Sequence, residues 1–156
     1  MRADEPGWPA AYGRVVLDTN VILSAALAPR GAPALLVDRL LQSVRVVLSA
    51  ATFAEFETRL WRPKFDRYLS LQRRRRLLRD LAAGAHWVEI PEALAAKRFS
   101  RDPGDDAFVH AALAAGAVRL ISGDDDLLCL NPLENLHILT PRAALEEIER
   151  ALAARR

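Results

Sequence analysis

The sequence predicts an α/β protein with three layers, α/β/α, around a central, mostly parallel sheet. Three observations carry this. Short runs rich in β-branched residues are apolar on both faces, as strands buried from both sides require. Stretches with helical apolar periodicity alternate with those runs in chain order. The 156 residues, 51% of them hydrophobic, suit one compact domain with a single core.

The opening "MRADEPGWPAAYG" holds two prolines and two glycines and lacks the apolar stretch of a signal peptide. It predicts a flexible arm over 1–12, ahead of a single domain over 13–156. "RVVL" (14–17) is the first buried strand, followed by the helical "NVILSAALA" and by "APALLVDRLLQS" with its own apolar stripe. "VRVVLS" (44–49) is the second strand. "SAATFAEFETRLW" then opens on Ser49 as a helix N-cap, with Phe53, Phe56 and Leu60 as its buried stripe. "SLQRRRRLLRDLAAGA" starts at Ser70 and ends near Gly84, with Leu71, Leu77, Leu78 and Leu81 facing inward. "HWVEI" (86–90) is a weaker strand candidate. "GDDAFVHAALAAGA" is helical and leads to the third strong strand, "AVRLIS" (117–122). "LHILT" (136–140) is another weak strand, and the last helix, "TPRAALEEIERALAA", has Thr140 as cap and Pro141 at its first position. No repeat, low-complexity linker or domain boundary interrupts this order.

Charged residues make up 27% of the chain, which excludes wholesale disorder, and the net charge is only +2. The arrangement of charge is more informative. Acids gather in "RDPGDDAF" and "SGDDDLL", arginines in "LQRRRRLLRD", a segregation that fits an acid or metal centre beside a phosphate-binding surface. Cys129 is the only cysteine, so an intrachain disulfide and a thiolate metal cluster are excluded, and a small buried residue is expected. No run approaches the roughly 20 apolar residues that cross a bilayer, so a cytoplasmic protein with no membrane partner is expected.

In an open parallel sheet, ligands bind at the carboxyl ends of the strands. Asp18 directly follows the first strand, Asp124 follows "RLISG", and Ser49 ends another strand whose following helix carries Glu55. Asp105 and Asp106 open the helix before "AVRLIS". Each acid also has an ordinary reading: Asp18 as a helix cap, Glu55 as a surface glutamate, Asp105 and Asp106 as first-turn acids, "GDDD" as an acidic turn before a cap. Those readings leave the convergence unexplained. Clustered carboxylates raise one another's pKa, and a divalent cation relieves the repulsion; oxygen-only ligands favour Mg²⁺ or Mn²⁺. A hard metal in such a site serves in-line displacement at phosphorus, so phosphodiester hydrolysis is the expected chemistry.

"VVLDTNVILSAAL", "LSAATFAEFETRLWRPKF", "RDPGDDAFVHAALAAGAVRLISGDDDLL" and "ILTP" together resemble a PIN domain, and more narrowly the VapC-like toxin ribonucleases of prokaryotic toxin–antitoxin systems. The resemblance covers roughly Arg14 to Arg142. It implies a Mg²⁺- or Mn²⁺-dependent endoribonuclease, held inactive by a small cognate antitoxin, that leaves 5′-phosphate and 3′-hydroxyl ends. The family's acids fall on Asp18, Glu55, Asp106 and Asp124, with Asp18, Asp106 and Asp124 binding metal and Glu55 ligating through water or orienting it. Asp126 lies near enough to assist or replace Asp124. Thr19, Asn20 and Ser122 would support the site by hydrogen bonds; Asp102 and Asp105 are acids whose role the family pattern leaves open. The oligomeric state stays open, a homodimer included.

His110 shares a helix face with Asp106 and is more often packing than function, and His86 and His137 have no ligand spacing. In the arginine run, Arg73 and Arg76 point to solvent, whereas Arg74 falls inside the leucine stripe and must snorkel, pair with an acid or meet a partner. Arg74 is grouped with Arg62, Lys64 and Arg67 as a candidate RNA or antitoxin contact. Aromatic residues are only 6% of the chain, so recognition by phosphate contact and RNA shape is favoured over base stacking. Three other readings compete. A structure-specific 5′-nuclease would need a helical arch for which the chain has no room. A phosphoreceiver domain would need an acceptor aspartate after "VRVVLS" and a late lysine, and has neither. A non-catalytic PIN-like RNA-binding or scaffold protein is opposed by the full set of acids.

Asp18→Asn separates metal ligand from cap, because it keeps a capping oxygen and removes the charge. The variant should retain its thermal stability and lose hydrolysis; unfolding with activity surviving in the folded fraction would assign Asp18 to capping.

Overall fold

Strands apolar on both faces must be covered on both, and the sheet in this computed structural model, which describes residues 7–43 and 45–154, meets that requirement. Its strands are β1 (Val15–Leu17), β2 (Val46–Leu48), β3 (His86–Trp87), β4 (Arg119–Ile121) and β5 (His137–Leu139). They lie in the order β3-β2-β1-β4-β5, and every neighbouring pair is parallel. Each strand falls within a segment expected from the sequence, and the sheet is wholly rather than mostly parallel. Between and after them run α1 (Thr19–Leu27), α2 (Ala32–Leu41), α3 (Ala50–Leu60), α4 (Leu71–Gly84), α5 (Glu92–Ala95), α6 (Asp106–Ala115), α7 (Asp125–Leu128) and α8 (Pro141–Ala153). The four-residue α5 and α7 are too short to leave a periodic signal in the sequence.

The two sheet faces feed two cores. Val15, Leu17, Val46, Leu48 and Ile121 pack with Leu36 and Leu40 of α2 and Ile148 of α8. Val16, Val47, Leu120 and Ile138 pack with Phe108, Val109 and Ala112 of α6. Each fully buried aliphatic side chain of this kind contributes about 1.5–3 kcal/mol. At the end of β2 the chain turns on a capping box: the Thr52 N–H donates to Ser49 Oγ at 3.2 Å and the Ser49 N–H donates to Thr52 Oγ1 at 3.0 Å. This starts α3 at the carboxyl edge of the sheet. Gly116, with φ 66°, ends α6 in the left-handed region, where a Cβ would be strained.

Four details differ from the sequence expectations. Of the arm expected over 1–12, residues 1–6 lie outside the described residues, whereas Trp8 and Tyr12 are packed. The Arg45 guanidinium lies 4.4 Å from the Trp8 ring centroid, and the buried Tyr12 donates its hydroxyl to Glu147, which also accepts from Arg119. Cys129 is exposed, because it follows the end of the short α7 while Leu127 takes the buried position. Leu71 is exposed and the stripe of α4 begins at Arg74, running through Leu77, Leu78 and Leu81. Arg74 is therefore no candidate RNA or antitoxin contact: it is 2% exposed, pairs with Asp66 at 2.9 Å and lies 5.5 Å from the Trp61 ring centroid. Arg73, exposed as expected, nevertheless reaches back to the Ala26 carbonyl at 2.6 Å.

No single helix among the described residues is long and apolar enough to cross a membrane; α1 and α2 pass that test only as a pair bent by 109°, and much of their apolar surface lies in the core.

Arg74 keeps Nε and Nη2 buried without hydrogen-bond partners among the described residues, a cost that offsets part of its pairing. In denaturant unfolding, Arg74→Met should change stability by less than about 1 kcal/mol, whereas Arg74→Ala should lose about 2–3 kcal/mol to the cavity it leaves. Equal losses would show that the ion pair outweighs the packing.

Candidate metal centre

The strand order reverses between β1 and β4, and a crevice opens beyond the carboxyl ends of strands at such a switch point. Asp18 stands immediately after β1, its N–H donating to the Ile121 carbonyl at 2.9 Å, so its backbone is held by the neighbouring strand. Its carboxylate accepts from Ser122 Oγ at 2.7 Å and, more weakly, from the Asn20 N–H at 3.4 Å. Ser122, just past β4 and fully buried, accepts in turn from the Asp124 N–H at 2.9 Å, and Asp124 accepts from the Asp126 N–H at 2.9 Å. Asp124 thus caps α7, as the ordinary reading expected, while standing in the acid cluster. A run of hydrogen bonds joins the loops after β1 and β4.

One carboxylate oxygen each from Asp105, Asp124 and Asp126 lies within 4.8 Å of the others, an arrangement that could hold a metal ion. Asp105 is buried, and its pKa is pushed up to about 7, first by burial and then by repulsion from Asp124, Asp102, Asp18 and Glu55. Asp18 is also raised, chiefly by burial, with the Ser122 and Asn20 hydrogen bonds opposing. Burial raises Glu55, while Arg59, whose Nε lies 3.6 Å from Glu55 Oε1, pulls it down. The segments carrying Asp18, Glu55, Asp102–Asp105 and Asp124–Asp126 therefore share one electrostatic site. Glu57 is exposed on the opposite side of α3.

Asp106 is held differently from Asp105. Its Oδ1 accepts the N–H groups of Phe99 and Ser100 at 3.1 and 2.7 Å, and its Oδ2 lies 3.2 Å from Arg98 Nε. This carboxylate anchors the preceding loop through Oδ1, its Oδ2 is buried without a hydrogen-bond partner among the described residues, and Asp105 is the neighbour that lies with Asp124 and Asp126. The 3₁₀ turn Pro103–Asp105 runs directly into α6, so Asp105 closes the turn while Asp106 opens the helix. His110 belongs to the same loop anchoring: its Nε2 donates to the Lys97 carbonyl at 2.7 Å and its ring meets Phe99 edge-on.

The donor chemistry fits a hard divalent cation. Glu55 Oε2, Asp105 Oδ2 and Thr19 Oγ1 are buried with no hydrogen-bond partner among the described residues. Orphaned buried oxygens beside mutually repelling carboxylates are costly, and a cation relieves both costs. Ser122 lies at the cluster through its bonds with Asp18 and Asp124, Thr19 is buried next to Asp18 in the chain, and the exposed Asn20 accepts from Arg59 Nη1 at 2.7 Å through its amide oxygen. Arg62, Lys64 and Arg67 are exposed beyond α3. Sequence reasoning missed Arg59, although its i,i+4 spacing from Glu55 was a signal for the pair.

The sheet is fully parallel, and an acid cluster lies beyond the carboxyl ends of its strands at the switch point. The family model described as PIN domain matches residues 14–126, and the chain belongs to the PIN domain family. It is 29% identical over 149 residues to the Uncharacterized protein MJ1680 of Methanocaldococcus jannaschii, spanning 90% of this chain and 94% of that one. Its fold is similar to FitAcB from Neisseria gonorrhoeae, with TM-score 0.56 and 21% identity over 82% of this chain and 98% of that one. It is similar also to VapBC2 from Rickettsia felis bound to a DNA fragment from their promoter, with TM-score 0.54 and 13% identity over 80% and 96%. The T. brucei RRP44 PIN domain has TM-score 0.53 and 18% identity over 90% and 81%.

The raised carboxylates make stability depend on pH and metal. Asp105 titrates near its ordinary 3.8 when unfolded and at about 7 when folded, so its favourable contribution is complete below the lower value and lost as pH rises through the upper. In chelator, Asp105→Asn should therefore gain stability relative to wild type between about pH 4 and pH 7, by a few kcal/mol at most. Millimolar Mn²⁺ at neutral pH should raise the wild-type Tm and raise that of Asp105→Asn less. Parallel pH curves for the two proteins would show that Asp105 is not strained by its neighbours.

Proposed function

We propose that the protein is a Mg²⁺- or Mn²⁺-dependent endoribonuclease and the toxin component of a toxin–antitoxin pair, acting in the cytoplasm. The observation that carries this is the convergence of mutually repelling acids, Asp18 and Asp105 buried and Glu55, Asp124 and Asp126 half-buried, from four separate stretches of the chain at one sheet edge, with oxygens left unpartnered. Asp18, Asp105 and Asp124, assisted by Asp126, would hold the cation. When bound, the cation supplies charge neutralisation at the phosphate and lowers the pKa of water. Glu55 then orients the attacking water and accepts its proton, a role suited to a carboxylate whose pKa burial has raised. Ser122 holds the Asp18 carboxylate in register through its hydroxyl. Attack by water rather than by the ribose 2′-hydroxyl leaves a 5′-phosphate and a 3′-hydroxyl.

The fold likeness to VapBC2 and FitAcB supports the toxin reading and a small cognate antitoxin as partner. Arg62, Lys64 and Arg67 lie exposed beyond α3 and suit contacts to the RNA backbone.

Glu55 and Glu57 provide an internal control on one helix. Under single-turnover conditions with saturating Mn²⁺, Glu55→Gln should slow RNA cleavage by at least about a hundredfold, while Glu57→Gln stays within a few-fold of wild type. Chelator should abolish cleavage. Equal losses in the two variants would remove Glu55 from the chemistry, and an inactive wild type that still binds RNA would favour a non-catalytic RNA-binding protein.

A further inference from the structure

Arg59 stands one helical turn beyond Glu55, and the metal centre gives it no task. Its guanidinium is tethered at two points. Nη1 donates to Asn20 Oδ1 at 2.7 Å, and Nε lies 3.6 Å from Glu55 Oε1. Its charge reaches the centre, lowering both Asp18 and Glu55. The side chain is 29% exposed, so the tethered head still opens to solvent. Among the described residues Nη2 has no hydrogen-bond partner, which leaves this nitrogen of the planar head available to donate.

Stability does not account for this arrangement. A partly exposed i,i+4 pair contributes at most about 1 kcal/mol. A tethered guanidinium with a free Nη2 beside a cluster of acids suits a phosphate contact, because its charge is permanent, its donor points in a fixed direction and its orientation is already set. The row of cations then continues: Arg62 also lowers Glu55 electrostatically, and Lys64 lies in the 3₁₀ turn Pro63–Phe65 that follows.

We propose that Arg59 is a substrate-binding residue, taking the scissile phosphodiester of single-stranded RNA at the acid centre, with Arg62 on the flanking phosphate. This rests on the nuclease reading above. It adds a polarity to the site: the RNA backbone enters along the C-terminal end of α3 and meets the acids at Glu55. Lysine in place of Arg59 would keep the charge and lose the planar head that Asn20 and Glu55 hold in place.

The test separates RNA binding from cleavage and from metal binding. A fluorescein-labelled single-stranded RNA is titrated with full-length protein in Ca²⁺, and binding is read by anisotropy at several salt concentrations. Mn²⁺ affinity without RNA is measured by electron paramagnetic resonance. Arg59→Gln should weaken RNA binding at least about tenfold and reduce the slope of log K against log salt by about one contact, while Mn²⁺ binds as well as or better than in wild type. Arg59→Lys should restore part of the affinity, keep the wild-type salt slope and still raise the half-saturating RNA concentration in Mn²⁺. Unchanged RNA affinity and salt slope in Arg59→Gln, with wild type cleaving normally, would overturn the assignment and leave the nuclease reading standing. Arg59-dependent binding by a wild type that never cleaves would support the phosphate contact and sink the catalytic reading alone. A wild type that binds no RNA in either metal would overturn both.

Discussion

Carboxylates crowded at the edge of an apolar sheet repel one another, and burial deprives them of the water that would screen that repulsion. The surrounding structure is organised around keeping them there. Asp18 cannot retreat, because its N–H is tied to Ile121 of β4 and its carboxylate to Ser122. Asp105 cannot retreat, because the residue beside it is fastened to the loop before it. The strain at the acids is thus borne by the hydrophobic packing of both sheet faces, which has free energy enough to hold a few unfavourable contacts.

Neighbouring acids divide the labour. Asp105 faces its repelling neighbours while Asp106 turns to satisfy two backbone N–H groups and an arginine. The same division recurs at Asp124, which caps a short helix while belonging to the cluster. Capping and metal binding are not rivals at these positions. A cap fixes the carboxylate by one oxygen, and fixing is what a metal site asks of its ligands.

The fold was legible because each strand is apolar on both faces and each long helix carries its own cap, as at Ser49, Ser70 and Thr140. Asp18 and Glu55 were legible because a strand end and the helix after one point toward the same sheet edge. The different surroundings of Asp105 and Asp106 were not, since the two acids straddle the junction of a 3₁₀ turn and a helix that leaves no periodic signal. Arg74 was legible as an anomaly in a leucine stripe, but its partners Asp66 and Trp61 lie upstream in the chain, beyond the reach of a helical wheel. Trp8 and Tyr12 hid behind a composition of proline and glycine, because an arm can be loose in sequence and still be pinned by two aromatic rings.

The hydrogen bond from Ser122 to Asp18 closes a separation of 104 residues. Closing a loop of that length carries an entropic cost that nearer contacts avoid. During synthesis, β1 and Asp18 leave the ribosome long before β4 and its following loop exist. A nascent or truncated chain ending before Ser122 holds Asp18 and Glu55 without Asp124 or the hydroxyl that orients Asp18. The acid centre can therefore be complete only in a chain that reaches Asp126 and has its fourth strand paired beside the first.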